Sequence, residues 1–266
     1  MGELRVLLSF DIEEFDMPLE YGKDIPMEDQ IEISTRGASI ALDLLRAHQI
    51  KATFFSTVVF ATQATPVIER LLAEGHELAS HGYFHSSFEP THLLASRLAL
   101  EKISGQDIKG FRMPRMKHVS DAEIQRAGYT YNSSLNPIYL PGRYNNFFMP
   151  RTLFRSHETF QLPASATPLF RFPLFWLSFH NFPLGMYKAA CRKTINKDKY
   201  LNIYFHPWEF TALTDTKFGL PWYVSKNSGL NMIKRFDQWL LWLTDQHYTF
   251  STITQFLNEK SFLPGE

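Results

Sequence analysis

The period of the apolar positions shifts repeatedly along the chain, and each shift marks an element. Residues 4–10 are almost continuously apolar, as in a strand buried on both faces of a parallel sheet. From residue 34 or 35 to 48 the spacing turns helical, with Ile40, Ala41, Leu44 and Leu45 on one stripe. Residues 51–57 predict the next strand. Thr65 and Pro66 then open a helix as N-cap and first-turn proline; Val67, Ile68, Leu71 and Leu72 face inward and Gly75 ends it. A strand at 76–81, a helix near 91–103 and a short strand at 108–113 follow. Ser120 and Glu123 form the pattern of a capping box, for a helix that Gly128 stops. Near the end, 200–205 predicts a strand and 229–246 a helix burying Ile233, Phe236, Leu240 and Leu243. This alternation predicts an α/β fold in which a parallel sheet curls into a barrel with helices outside. One stretch breaks the rhythm. Residues 136–183 hold seven prolines, Pro137 to Pro183, among many phenylalanines, and predict edge strands and long loops. They either plug the barrel opening or wall a groove.

Composition narrows the class without naming a function. A 44% apolar and 20% charged chain can bury a core, and 266 residues suit one α/β barrel, so 1–266 is read as a single domain. Lys and Arg balance Asp and Glu at 27 each, which gives no reason to expect nucleic acid as a partner. Cys191 is the only cysteine, so no intrachain disulfide forms, and its helix-like surroundings suggest a buried structural thiol. The apolar run near the N-terminus meets Asp11 too soon for a signal peptide, and no stretch has the length of a transmembrane helix. The chain as given is expected to be cytoplasmic, although one with a removed leader would look the same. Oligomeric state is not legible.

The polar residues gather at the C-terminal ends of the predicted strands. Asp11 ends the first, His81 the third, Arg112 the fourth, and His206 the strand before Pro207, Trp208 and Glu209. Parallel barrels build their active sites on that rim. His81 and His85 in HGYFH, with the acidic residues Asp11, Glu13 and Glu14, supply two imidazoles and a carboxylate, the donor set of a catalytic divalent metal with open positions. Asp11 and Glu13 project to the same side of an extended chain, so one can hold a metal while the other faces its water. Glu14 points away on that geometry; it is read as a solvated loop carboxylate, with a place as substitute ligand for Glu13 left open.

In this order, SFDIEEF, HGYFH, GFRMPR and IYFHPWEF resemble the motifs of the polysaccharide deacetylases of carbohydrate esterase family 4, the NodB-homology proteins. The likeness runs from residue 4 to about 257. It implies a deformed (β/α) barrel, TIM-like with fewer than eight complete units. It also implies a metal-dependent amide hydrolase acting on an N-acylated, foremost N-acetylated, amino sugar in a polysaccharide or glycolipid intermediate. Asp11 matches the family's base, and Glu13, His81 and His85 its ligands for one divalent metal, Zn²⁺ foremost, with Co²⁺, Ni²⁺ or Fe²⁺ as others. Arg112 would pair with and orient Asp11. The backbone N–H of Arg115, after Pro114, would face the oxyanion. His206 would protonate the departing amine from the side far from the base. Tyr83, Trp208, Trp222 and Tyr223 are candidate sugar-stacking residues, and the aromatic 136–183 stretch a contact for a lipid-linked substrate.

Three departures from the family pattern stand out: Asp11 and Glu13 are spaced where adjacent aspartates are usual, Gly82 follows the first histidine where Ser or Thr is common, and Asn132 occupies the place of an aspartate that tunes the acid histidine. Glu209 and Asp121 could replace that aspartate, but both are read as surface charges. Two rival functions are carried: a metal-dependent amidase of a small amide or ureide, and a non-catalytic glycan- or partner-binding barrel.

Overall fold

A computed structural model describes residues 3–261; the outermost positions of the 1–266 domain expectation lie outside the described residues. Among the described residues the strands are β1 Arg5–Ile12, β2 Thr53–Ser56, β3 Glu77–Ser80, β4 Gly110–Phe111, β5 Tyr131–Asn132, β6 Tyr139–Leu140, β7 Tyr144–Asn145, β8 Phe154–Ser156, β9 Thr159–Gln161, β10 Tyr200–Phe205 and β11 Thr249–Phe250. The main sheet runs β10-β1-β2-β3-β4-β5-β9-β8. Every pairing is parallel except β8 with β9. β2 pairs with the upper half of β1, from Ser9, and β11 takes its lower end at Arg5 and Val6. The sheet curls until the chain after β9 reaches β10: Ser165 N–H donates to the Asn202 carbonyl at 2.8 Å, and Asn202 N–H to Ser165 Oγ at 2.9 Å. This is the expected deformed barrel with fewer than eight complete units.

The alternation in β1 sorts its residues between two environments. Val6, Leu8, Phe10 and Ile12 face outward into the large core shared with the helices. Leu7, Ser9 and Asp11 face inward. The inner core is apolar at the bottom, where Leu7, Phe55, Ala79 and Tyr131 meet Ile253, Phe256 and Leu257 of the Ile253–Ser261 helix. That helix is tied to the sheet through Ile253 N–H to Thr53 Oγ1 (3.0 Å) and Thr254 N–H to Glu77 Oε2 (3.1 Å). Toward the C-terminal ends of the strands the inner face becomes polar, and the barrel changes from core to site along one strand.

Several elements differ from the sequence expectation. The second helix begins at Met27, not at residue 34 or 35, and runs Met27–Ala47. Its first turn holds Glu28, Asp29 and Gln30; that polar run conceals the buried Ile31 and Ile33 behind it. An unexpected helix, Val58–Gln63, follows β2 and is capped by Thr57, which accepts the Phe60 N–H. The next helix, Thr65–Ala73, has Ala64 as its N-cap instead of Thr65. Ser120 caps Asp121–Arg126 by position, but its side chain makes no cap bond, so the capping box is not formed. The 136–183 stretch holds the β6–β7 and β8–β9 hairpins, an Ala166–Pro173 bridge and the Trp176–Asn181 helix. Because Leu140, Arg143, Tyr144 and Trp176 line the cavity that also holds Asp11, His81 and His206, it is a wall of the groove and not a plug. No helix among the described residues is long and apolar enough to cross a membrane. Cys191 is fully buried, and burial pushes its thiol well up, in keeping with a structural role.

Candidate metal centre and active site

A cavity of about 450 Å³ opens at the C-terminal ends of the strands, with Asp11, Glu13, His81, His85, His206 and Trp208 on its walls. Glu13, His81 and His85 each offer one ligand atom, and the three atoms lie within 4.8 Å of one another. His81 Nε2 and His85 Nε2 stand 2.9 and 3.1 Å from Glu13 Oε2. Their other ring nitrogens are already committed: His81 Nδ1 donates to the Arg112 carbonyl (2.9 Å), and His85 Nδ1 to Asp16 Oδ1 (2.8 Å). In the neutral form that binds a metal, each ring would present an Nε2 lone pair toward the same buried carboxylate oxygen. Three electron-rich atoms converging in a buried space fit a divalent cation. Electrostatics agree: burial would lower the His85 pKa, yet the charges of Glu13 and Asp16 raise it to about 9, so the surroundings call for positive charge. Burial opposes ionisation of Glu13, but His85, His81 and His206 outweigh it and hold the carboxyl well below the usual range.

Glu14 takes no part in this cluster, and the expectation of a solvated loop carboxylate is corrected. It is buried, accepts the Thr57 hydroxyl and the His85 N–H (3.4 Å), and burial raises its pKa. Trp208 is also corrected: only 1% exposed, it donates Nε1–H to Glu13 Oε1 at 3.3 Å and stacks on His206 at 4.6 Å, which makes it a support more than a sugar platform. Tyr83 is not on the cavity wall; its ring packs on Phe84 and His92. Trp222 is 67% exposed outside the cavity, whereas Tyr223 lines it. Gly82 has φ +84, a backbone conformation that favours glycine at the place where Ser or Thr is common in the resembled family. Pro114 is buried, its ring carbons 3.6 Å from where a Gly82 Cβ would stand.

Arg112 is fully buried and donates to Asp11 Oδ1 (2.6 Å), Ser9 Oγ (2.9 Å) and Ser133 Oγ (3.0 Å), with its guanidinium 4.0 Å over the Phe55 ring. Asp11 is thus held by an arginine and not by the ligand cluster. His206 Nε2 lies 4.0 Å from Asp11 Oδ2. Both residues line the cavity.

The group behind His206 is the main surprise. Glu209 is fully buried, not a surface charge. Its Oε1 accepts from His206 Nδ1 (3.0 Å) and from the His206 backbone N–H (2.5 Å), while Oε2 accepts from His180 Nε2 (2.8 Å). Burial opposes its charge, but the hydrogen bonds from His180 and His206 prevail and lower its pKa. Burial likewise pulls His206 down, and the Glu209 hydrogen bond with the charges of Glu13, Glu209 and Asp11 raises it. Asn132 instead clamps β5 to β9 through Gln161 (2.8 Å), and Asp121 sits half-buried in the first turn of its helix. Sequence reasoning also missed Asp16, which joins His85 Nδ1 to Arg115 Nη2 (2.8 Å), and His180, for which no sequence signal exists. For Asp16 there was one: a further acid soon after the first cluster, just before the Met17–Glu20 helix. Arg115 also pairs with Glu20, and its backbone lies in the left-handed region at φ +58.

The sequence profile of the polysaccharide deacetylases matches residues 27–132, which include His81, His85 and Arg112. Asp11, Glu13 and His206 lie outside that stretch and join it through the fold. Among solved structures, the Xyl-CE4 domain of a multidomain xylanase from the hindgut metagenome of Trinervitermes trinervoides has a TM-score of 0.54 at 16% identity, over 100% of this chain and 95% of that one. An allantoinase, PuuE, reaches 0.64 at 12% identity, over 94% and 88%. A CE4 family pseudoenzyme from Bacillus anthracis reaches 0.53 at 13% identity, over 96% and 65%. At such identities the likeness is one of fold. A fold shared by an allantoinase and a pseudoenzyme leaves the chemistry to be argued from the site.

Proposed function

Because the chain carries a polysaccharide deacetylase domain of the NodB-homology, carbohydrate esterase family 4 type, a hydrolase of amide bonds, we propose that it removes an N-acyl group from an amino sugar. The acyl group is acetyl, the sugar part of a polysaccharide or glycolipid intermediate, and the metal one Zn²⁺ ion held by Glu13, His81 and His85. The observation that carries this reading is His206: a binding barrel has no use for a histidine whose Nδ1 is fixed by a buried carboxylate beside an arginine-paired aspartate.

A divalent cation in this site supplies Lewis acidity toward an amide carbonyl and makes water more acidic. Trp208 occupies Glu13 Oε1 and leaves Oε2 for the ion. Asp11, oriented by Arg112, takes a proton from the attacking water. The Arg115 N–H, on its left-handed turn after Pro114, is assigned to the carbonyl oxygen as negative charge develops there. An amine anion cannot leave, so His206 Nε2 gives its proton to the nitrogen as the C–N bond breaks, and Glu209 steadies the imidazolium before that transfer. The cavity volume lies in the range of small-ligand sites, with Tyr144, Trp176 and Tyr223 as aromatic walls.

The test is acetate release from N-acetylated chitin oligomers beside a panel of small amides and ureides. Turnover of the oligomers is expected, reduced about 10²–10⁴-fold in Asp11→Asn and in His206→Ala with metal content unchanged. Either variant running at the wild-type rate would sink its role. Turnover confined to ureides would replace the sugar with a small cyclic or linear amide.

A further inference from the structure

Two neighbouring turns hold large apolar side chains out in water. Phe148 is 95% exposed and Phe170 85%, with Leu169 and Tyr139 also largely exposed. The Phe170 turn is well built: the Ala166–Pro173 bridge closes it, Thr167 N–H donates to the Phe172 carbonyl and Phe172 N–H to Thr167 Oγ1, both at 2.9 Å. Arg171 ties it to the other turn, donating to the carbonyls of Pro137 (3.1 Å) and Met149 (2.8 Å) with its guanidinium 5.3 Å from the Phe147 ring centroid. Tyr139, Phe147, Phe148, Phe170 and Arg171 border one shallow depression of about 470 Å³. A contiguous apolar patch on ordered turns marks an interaction surface.

Charge says what kind. Residues 133–183 carry Arg143, Arg151, Arg155 and Arg171 against a single acid, Glu158, in a chain whose net charge is zero. Arg151 is paired with Asp198. Arg143 and Arg171 have no carboxylate within ion-pair distance among the described residues. The patch also runs into the active-site cavity, for Tyr139 borders the depression and the next residue, Leu140, lines the cavity with Arg143.

We propose that this face docks on an anionic phospholipid bilayer. Phe148 and Phe170 enter the boundary between headgroups and acyl chains, Arg143 and Arg171 meet lipid phosphates, and the cavity mouth is held at the membrane surface. The proposal does not depend on which amide is cleaved. Its test is co-sedimentation of the full chain with vesicles of phosphatidylcholine alone and of phosphatidylcholine mixed with phosphatidylglycerol. Wild type is expected to pellet with the mixed vesicles, less so as salt is raised, and the Phe148→Ser/Phe170→Ser double variant to partition about tenfold less or weaker still. Both side chains are exposed, so the variant should keep its circular dichroism spectrum. Arg143→Gln removes a charge without touching the bonds that join the two turns, and is expected to weaken binding to the mixed vesicles. Pelleting with neither vesicle, or equally well with and without the anionic lipid, overturns the proposal. So does a patch-dependent dimer in sedimentation velocity without vesicle binding, which would give the face to a second copy of the chain.

Discussion

Asp16 decides how His85 presents itself to a metal. Its carboxylate takes the Nδ1–H, fixes the tautomer and makes Nε2 the more basic donor. Asp16→Asn keeps the shape and removes the charge, so metal affinity should fall about 10–100-fold, read by competition with a chromophoric chelator. Glu209 sets a pH limit. His206 works as an acid only while protonated, and its raised pKa extends that state upward, so activity should fall on the alkaline side as pH rises through it. Glu209→Gln removes the nearest charge raising it, and the alkaline limb of kcat should move to lower pH while bound metal is unchanged. An unmoved limb would detach Glu209 from His206. Asp11, Glu13, His81, His85, Arg112 and His206 were legible because each falls within a short motif at a strand end. Glu209 was in plain view in IYFHPWEF and misread, since one charged letter after a strand looks like surface until the chain is seen to turn it inward. His180 acts by a long-range contact that no local spacing announces, and Asp16, though close behind the first acidic cluster, shows its role only through its contact with His85 sixty-nine residues on.

At the scale of elements, a helix far from the chemistry controls the acid. The Met27–Ala47 helix approaches the Pro207–Phe210 turn so closely that a Cβ on Gly37 would stand 1.9 Å from the Pro207 carbonyl oxygen. A glycine within a helix costs stability, so this one is kept for the contact. That turn carries Trp208 and Glu209 directly after His206. Gly37→Ala should destabilise the fold by about 1–3 kcal/mol, seen in urea unfolding. It should also depress kcat by displacing His206, more than a loss of stability alone would. The apolar β1 and β10 and the stripe of the Leu230–Asp245 helix were readable because their periods are long and uninterrupted. The start of the Met27–Ala47 helix was not, because its first turns alternate acids with buried isoleucines. Nor were the hairpins of 136–183, where two-residue and three-residue strands give no period to detect.

The whole molecule couples its stability to the site. The ligands come from the end of β1 and from the loop after β3, so a bound ion joins separate parts of the sheet. With free metal 100 to 1,000 times above its dissociation constant, binding adds about 2.7–4.1 kcal/mol to the folded state. Chelation should therefore lower Tm in wild type and leave His85→Ala, expected to have lost its metal, almost unmoved. The expected barrel class was legible because β–α alternation is a property of the whole chain, and the incomplete closure follows from the short β4 and β5 and the antiparallel β8–β9 edge.

Strand order also has a consequence in time. β1 lies between β10 and β2, and its pairing with β10 joins residues 5–10 to residues 200–205. During synthesis the ligands, the base and Arg112 leave the ribosome while β1 still lacks both β10 and β11, and His206 with Glu209 follows only after some ninety further residues. Parallel pairing at such separation is slow to form. The nascent chain thus acquires the means to hold a metal well before the means to donate a proton, and chemistry is the last property it gains.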